Sequence, residues 1–374
     1  MNALNRVEIS ARALRHNFGV CRHYAADAAI LAMVKGEAYG HGMVDCARLF
    51  VAEGAASLGV AQVGEGVTLR QAGITAPIFV LAGITPQSAA VAVEHGLTPV
   101  IGDGSSLDEL AFQARRVGRT VRLHLKMDAG MGRQGTLPGE MSALIQGVLD
   151  RPGLAIDGIL AHFPEADEPG AASSSQVVET FRVTSRQLEQ QFGRRWCLHL
   201  ANSGGLLYVS GARFDMVRPG IMLYGSYPDA HATPEVTPAL QLQPAMRFSS
   251  QVIQVRQLPA GTGLGYGHSW TSARPTTIAV LPVGYSNGYL RRLSNRASVL
   301  IRGRRVPVVG RVSMNLTMVD ATDLEQVEVG DEAVLLGTQQ GEAISADEIG
   351  AWMETISYEV LCLFGGLNRR SFLE

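Results

Sequence analysis

The sequence predicts an α/β fold: an N-terminal barrel of eight β/α units, followed by a smaller, mostly-β domain. Three observations carry this. Eight short apolar runs alternate with helical patterns from Ser10 to Gly225. A proline- and threonine-rich stretch, Pro228-Asp-Ala-His-Ala-Thr-Pro-Glu-Val-Thr-Pro238, then breaks the pattern as a linker or exposed loop. Beyond it, β-type runs follow one another with only Gly and Asp/Asn turns between them, the texture of a compact barrel or sandwich. Eight β/α repeats over about two hundred residues point to a (β/α)8 TIM-type barrel. A doubly wound open sheet usually has fewer strands and a G-x-G-x-x-G after the first, and none follows the run at 30–35.

Taken in order, Ser10 is placed to cap a first helix, with Leu14, Phe18 and Cys21 at helical spacing. The barrel strand candidates are 30–35, 57–61, 78–81, 98–101, 121–126, 155–162, 196–202 and 214–218. Helical stretches lie between them, such as 86–94, 106–117 and 176–192. The later β runs are 250–258, 277–283, 297–301, 305–309, 317–319 and 332–336. One helix is expected near the end, over 345–354, with Ser345 as cap and Glu348 three residues on.

A chain of 374 residues is long enough for two domains. It is 46% hydrophobic and 18% charged, a normal globular balance. A net charge of −2 gives no electrostatic case for nucleic acid or an anionic membrane. The first ten residues lack an apolar signal core, and no uncharged apolar run is long enough to span a bilayer. Cys21, Cys46, Cys197 and Cys362 are scattered, which fits reduced thiols in the cytoplasm and argues against zinc or disulfides.

The chemistry concentrates where barrel strands end. Five consecutive apolar residues, Ile30 to Val34, are closed by Lys35 and a glycine-rich turn carrying Tyr39 and His41. A charge at the end of a core strand is costly unless used or paired. An arbitrary lysine there snorkels to solvent; one facing a glycine-rich loop is placed to form a Schiff base with an aldehyde cofactor. The other strand ends give Lys126 and Asp128, His162, Asn202 and Ser203, and Arg218. A lone buried His or Asn is more often a satisfied core group, but five of eight strands ending in polar groups at one rim make a site. Asn202-Ser-Gly-Gly205 opens a helix after the seventh strand, and Val217-Arg-Pro-Gly-Ile221 follows the eighth. Backbone N–H groups at these two places commonly bind phosphate, so Ser203, Gly220 and Ile221 are the phosphate candidates.

The stretch Met33-Val-Lys-Gly-Glu-Ala-Tyr-Gly-His-Gly42 resembles the pyridoxal-phosphate lysine signature of bacterial alanine racemases. The likeness continues through His124-Leu-Lys-Met-Asp-Ala-Gly-Met-Gly-Arg-Gln-Gly135, Ile159-Leu-Ala-His-Phe163, Phe214-Asp-Met-Val-Arg-Pro-Gly-Ile-Met-Leu-Tyr-Gly225 and Leu258-Pro-Ala-Gly-Thr-Gly-Leu-Gly-Tyr-Gly267. It also covers Val283-Gly-Tyr-Ser-Asn-Gly-Tyr289, Gly310-Arg-Val-Ser-Met-Asn-Leu-Thr-Met-Val-Asp320 and Thr355-Ile-Ser-Tyr-Glu-Val360. The resemblance implies pyridoxal 5'-phosphate as cofactor, joined to Lys35, with Tyr39 and Tyr358 as phosphate contacts and Asn202 among the cofactor-binding residues beside the phosphate candidates Ser203, Gly220 and Ile221. It implies that Arg218 faces the pyridine nitrogen with His162 supporting it, and that Arg133, Tyr285 and Met314 lie near the substrate. Lys126 matches a lysine carbamylated in many family members, where the anion would hold Arg133; the plainer reading pairs Lys126 with Asp128. The second base is Tyr266, and in the family the residues matching Tyr266 and Met314 reach the other subunit's site, so a homodimer is implied. The change of texture at the Pro/Thr-rich stretch gives domains of 10–238 and 239–374, and the resemblance favours strand 1–9 joining the second.

Racemisation removes a proton from one face of Cα and returns it to the other, so two bases on opposite faces suit it. By family analogy Lys35 acts on the D-enantiomer and Tyr266 on the L-enantiomer. Amines and phenols hold their protons to about pH 10, so cationic or desolvating surroundings are needed, which Arg133 and Arg218 are placed to help supply. Arginine only donates, so a pyridine nitrogen facing it stays unprotonated, and a less electron-withdrawing ring suppresses side reactions such as transamination. The chain departs from the family at Asn287 and Asn315, where aspartates are common, at Gly36-Glu37, and in the tail from Leu361 to Arg370. These leave alanine as first substrate and a broader or serine racemase as alternative. A pyridoxal-phosphate decarboxylase is disfavoured because such enzymes place glutamate at the pyridine nitrogen. A non-catalytic pyridoxal-phosphate-binding barrel is disfavoured because it is shorter and lacks the β domain.

Overall fold

The computed structural model describes residues 4–229 and 237–374. Most of the linker read at 228–238 lies outside the described residues. The chain forms two compact units: Arg15–Ala38 with Met43–Leu242, and Met1–Leu14 with Tyr39–Gly42 and Gln243–Glu374.

The first unit is a closed eight-stranded parallel barrel. Labelling the first strand of the chain, Arg6–Ser10, as β1, the barrel strands are β2 (Ala29–Met33), β3 (Ser57–Val60), β4 (Ile78–Val80), β5 (Thr98–Ile101), β6 (Val121–Lys126), β7 (Leu154–Leu160), β8 (Cys197–His199) and β9 (Met216–Val217). It closes where Ala29 and Ile30 pair with Met216 and Val217. Ile30, Leu58, Val60, Ile78, Val80, Val100, Leu123 and Leu125 are fully buried, each stabilising the fold by about 1.5–3 kcal/mol. Helix Pro86–Glu94 begins with Pro86 at its first position, and helix Leu107–Val117 follows Ser106. The last two barrel strands are shorter than the expected 196–202 and 214–218. Their C-terminal residues leave the ladder for rim loops: Arg218 N–H donates to Ala201 O, and Asn202 becomes a helix cap.

In the second unit, β1 pairs antiparallel with Met246–Gln251 and parallel with Arg370–Leu373. Those strands belong to a seven-stranded sheet with Glu332–Gln339, Ser298–Ile301, Arg304–Pro307 and Glu342–Ile344. A three-stranded sheet joins Gln254–Leu258, Thr276–Leu281 and Thr317–Asp320. The expected strand 250–258 is two strands, because the chain changes sheets there: Val252 N–H donates to Asp331 O and Ile253 N–H to Val280 O. Leu258, Leu264, Ile278, Val280 and Val309 form a core of this unit, with Trp270 and Met318 against it.

Ser345 caps the Ala346–Met353 helix by accepting from Glu348 N–H at 3.0 Å. A second helix, Ser357–Leu367, follows, where the sequence pattern gives only one near the end. Its glycine pair, Gly365-Gly366, lowers helix propensity, but Gly365 is required: a Cβ there would lie 1.8 Å from Gly40 O.

Candidate active site

At the barrel rim, β2 ends at Met33 rather than at Lys35. Lys35 instead opens a left-handed turn: Gly36, Glu37, Ala38 and Tyr39 have φ of 61°, 55°, 55° and 52°. Left-handed backbone costs a non-glycine residue about 1–2 kcal/mol, so this turn is held by its surroundings. Lys35 itself is exposed.

Arg218 directly follows β9 and is buried. Its Nη1 donates to His199 O at 2.9 Å and to His199 Nδ1 at 3.2 Å. Its Nη2 donates to Ala161 O at 2.8 Å and Leu200 O at 3.0 Å, and lies 3.4 Å from His162 Nδ1. Burial pushes this guanidinium down to about 10, still a cation at neutral pH. His199 Nε2 is 2.9 Å from His124 Nδ1. The tautomers follow from the donor. Since Arg218 only donates, His199 Nδ1 accepts, so His199 carries its proton on Nε2 and gives it to His124 Nδ1. Burial first, and the Arg218 charge second, push His124 down to about 4 and hold His162 and His199 well below the usual histidine range. All three rings are therefore neutral at pH 7. Gly158 in β7 makes the pair possible, because a Cβ there would lie 2.2 Å from the His124 ring.

Lys126, at the end of β6, is buried and donates from Nζ to Gln134 Oε1 at 2.8 Å. The expected pairing with Asp128 is not what forms. Asp128 Oδ1 instead accepts from Gly130 N–H and Gly132 N–H of its own loop, the cheaper arrangement for a carboxylate two residues along an exposed turn. Burial, then the charges of Arg133, Arg218 and Lys35, lower the Lys126 amine to about 8. Arg133 stands exposed on the same loop.

The two predicted phosphate loops meet. Ser203 Oγ accepts from Gly220 N–H at 2.9 Å and Met222 N–H at 3.4 Å, ahead of the short helical turn Ile221–Tyr224. Asn202 Oδ1 caps the Ser203–Tyr208 helix by accepting from Gly205 N–H at 2.9 Å.

The second unit gathers its own predicted residues. The rings of Tyr39 and Tyr358 lie 6.0 Å apart. Tyr285 N–H donates to Ser313 O at 3.1 Å and Ser286 N–H to Met314 O at 3.0 Å, so the Tyr285 and Met314 segments run side by side. Tyr266 is exposed between Gly265 and Gly267, whose φ of 69° and 68° are left-handed. Asn287 and Asn368 bond reciprocally: Asn287 Nδ2 donates to Asn368 Oδ1 at 3.1 Å, and Asn368 Nδ2 to Asn287 O at 2.9 Å. Two departures seen in the sequence, Asn287 and the tail, are thus one structural feature. Asn315 Nδ2 donates to Ser286 Oγ at 2.8 Å.

Comparison with known families decides the kinship. The models of the alanine racemase N-terminal and C-terminal domains match residues 9–228 and 245–372. The chain belongs to the alanine racemase family. It is 42% identical over 367 residues to the alanine racemase of Syntrophobacter fumaroxidans, covering 98% of this chain and 96% of that protein. It is also 42% identical over 363 residues to that of Symbiobacterium thermophilum, covering 97% and 94%. The crystal structure of the alanine racemase from Streptomyces lavendulae superposes with a TM-score of 0.93 at 35% identity, covering 100% of this chain and 98% of that one. The alanine racemase of Bartonella henselae, solved with covalently bound pyridoxal phosphate, gives a TM-score of 0.89 at 28% identity over 100% of both chains. No helix among the described residues is long and apolar enough to cross a membrane.

Within this alanine racemase fold, sequence reasoning missed His199, His124 and Gln134. His199 does end a strand, which was the available signal. His124 sits inside β6, and only its contact with His199 makes it part of the site.

Proposed function

We propose that this chain is a pyridoxal-phosphate-dependent racemase interconverting L- and D-alanine, with Lys35 and Tyr266 as its two bases. The single observation that carries the cofactor assignment is the bonding of Arg218. Both Nη groups are committed to carbonyls and histidine rings, which leaves Nε–H as the guanidinium donor without a partner among the described residues. A group that can only donate, fixed in position, suits an unprotonated pyridine nitrogen. The other donors fit the rest of the cofactor. Lys35 offers the amine, and Ser203 and Ile221 the phosphate end, beside Gly220, whose N–H here donates to Ser203 Oγ; Tyr39 and Tyr358 add two further phenols.

When bound, pyridoxal phosphate withdraws electrons from the substrate's Cα–H bond. The chain's residues do the rest. Arg133 holds the substrate carboxylate. Lys35 and Tyr266 exchange the Cα proton from opposite faces, one taking it while the other gives one up. Tyr285 and Met314 limit the space for the side chain. We further propose a cytoplasmic homodimer in which Tyr266 and Met314 serve the other subunit's site.

The purified protein is expected to convert L-alanine to a racemic mixture, read by chiral chromatography, with serine and larger amino acids as the comparison set. Carbon dioxide release would instead identify a decarboxylase. Subunit sharing is tested by mixing Lys35→Ala with Tyr266→Phe. Hybrid dimers regain one complete site only if Tyr266 acts across the interface; no recovered activity refutes the sharing.

A further inference from the structure

Glu65 stands outside the site read from the sequence, yet it holds the turn that carries Lys35. It lies at the third position of the Val63–Gln71 helix, and its Oε2 accepts from Gln62 N–H at 3.0 Å and Ala61 N–H at 2.7 Å. That much is ordinary helix capping. A cap needs one carboxylate oxygen. The other, Oε1, crosses to the neighbouring loop and accepts from Gly36 N–H at 2.7 Å, next to Lys35. From the inside, the same turn is closed by Ala38 N–H donating to Val34 O at 2.9 Å, and Val34 N–H is tied to Gly59 O of β3 at 2.8 Å.

These contacts surround a backbone that is unfavourable by itself. Glu37, Ala38 and Tyr39 are consecutive non-glycine residues at positive φ, and such strain persists only where the surroundings over-determine it. An anionic oxygen on the first amide of the turn is a charge-assisted bond, stronger than a neutral one. We propose that Glu65 is a positioning residue that locks the Lys35 turn in its left-handed form, and so aims the Lys35 amine. This rests on the reading of Lys35 as the cofactor lysine and base.

Glutamine separates the two jobs. Glu65→Gln retains one acceptor oxygen, enough for a cap, but its amide group can only donate toward the second set of N–H groups. Three measurements are made well below each variant's Tm. The first is amide exchange of the peptide containing Gly36 in the cofactor-free chain. The second is the rate at which added pyridoxal phosphate becomes trapped on Lys35 by borohydride, read by peptide mass. The third is kcat and KM for alanine. We expect faster exchange at Gly36, and trapping and kcat about 10–100-fold slower with KM little changed, the cost of a small misplacement of a reacting group. Tm should stay near the wild-type value in Glu65→Gln and fall in Glu65→Ala. Trapping and kcat within about twofold of wild type overturn the proposal, whatever Tm does. No trapped cofactor on Lys35 in the wild-type chain overturns the reading of Lys35 itself, a failure visible before any variant is compared.

Discussion

Mild acid should destabilise the barrel through His124, and the size of the effect follows from its burial. His124 is almost fully enclosed, between His199 and the ring of Phe79 at 4.8 Å between centroids. In the folded chain it titrates at about 4 instead of the ordinary 6.5. Between those two pH values the unfolded chain binds a proton that the folded chain refuses, so stability falls as pH falls through this window. At about 1.36 kcal/mol per pH unit, His124 alone costs about 2 kcal/mol by pH 5 and about 3 kcal/mol by pH 4. His199 and His162 are displaced in the same direction and add to the loss. His124→Gln keeps an acceptor for His199 Nε2–H but removes the titration. The assay is urea unfolding from neutral pH down to about pH 5, with hydrogen exchange in β6 peptides to report the barrel rather than the second unit. Wild type should lose about 2 kcal/mol more than His124→Gln over this range. Parallel profiles for the two proteins would show that His124 is charged, or solvated, when folded.

Arg218→Lys keeps the charge but loses at least two of the guanidinium's bonds to barrel carbonyls, so stability should fall by about 3–6 kcal/mol and the apparent Tm by about 10 °C; a Tm within about 2 °C of wild type contradicts the bonding described. Tyr266→Phe should retain borohydride-trapped cofactor on Lys35 while racemisation collapses, and undiminished turnover would remove Tyr266 from the mechanism. The Lys126 amine, lowered to about 8, is neutral often enough at neutral pH to take up carbon dioxide. A carbamate carbon resonance should therefore appear with labelled bicarbonate, strengthen as pH rises through that value, and vanish in Lys126→Ala; its absence in wild type leaves Lys126 as the plain amine bonded to Gln134.

Much of the barrel was legible because its strands are buried on both faces, which writes them as unbroken apolar runs: 98–101 and 121–126 coincide with β5 and β6. The rim list was legible for a related reason. A polar residue closing such a run must be used, which singled out Lys126, Ser203 and Arg218 without any contact being known. Other features depended on contacts between distant segments. Propensity gives no hint that Glu37, Ala38 and Tyr39 turn left-handed, since the acceptor that holds Gly36 is 29 residues away on Glu65. The pairing of His124 with His199 spans 75 residues. It depends on the β6–β7–β8 register and on Gly158 leaving room between them. Helix Ser357–Leu367 was obscured by a glycine pair, of which Gly365 is required by its close approach to Gly40. Strand ends therefore disclose the groups that can face a ligand, whereas the groups that orient them sit one layer deeper. Arg218 illustrates the division. Its position after β9 makes it a candidate, but the carbonyls of Ala161, His199 and Leu200 and the neutral His199–His124 pair determine which of its nitrogens is left without a partner among the described residues.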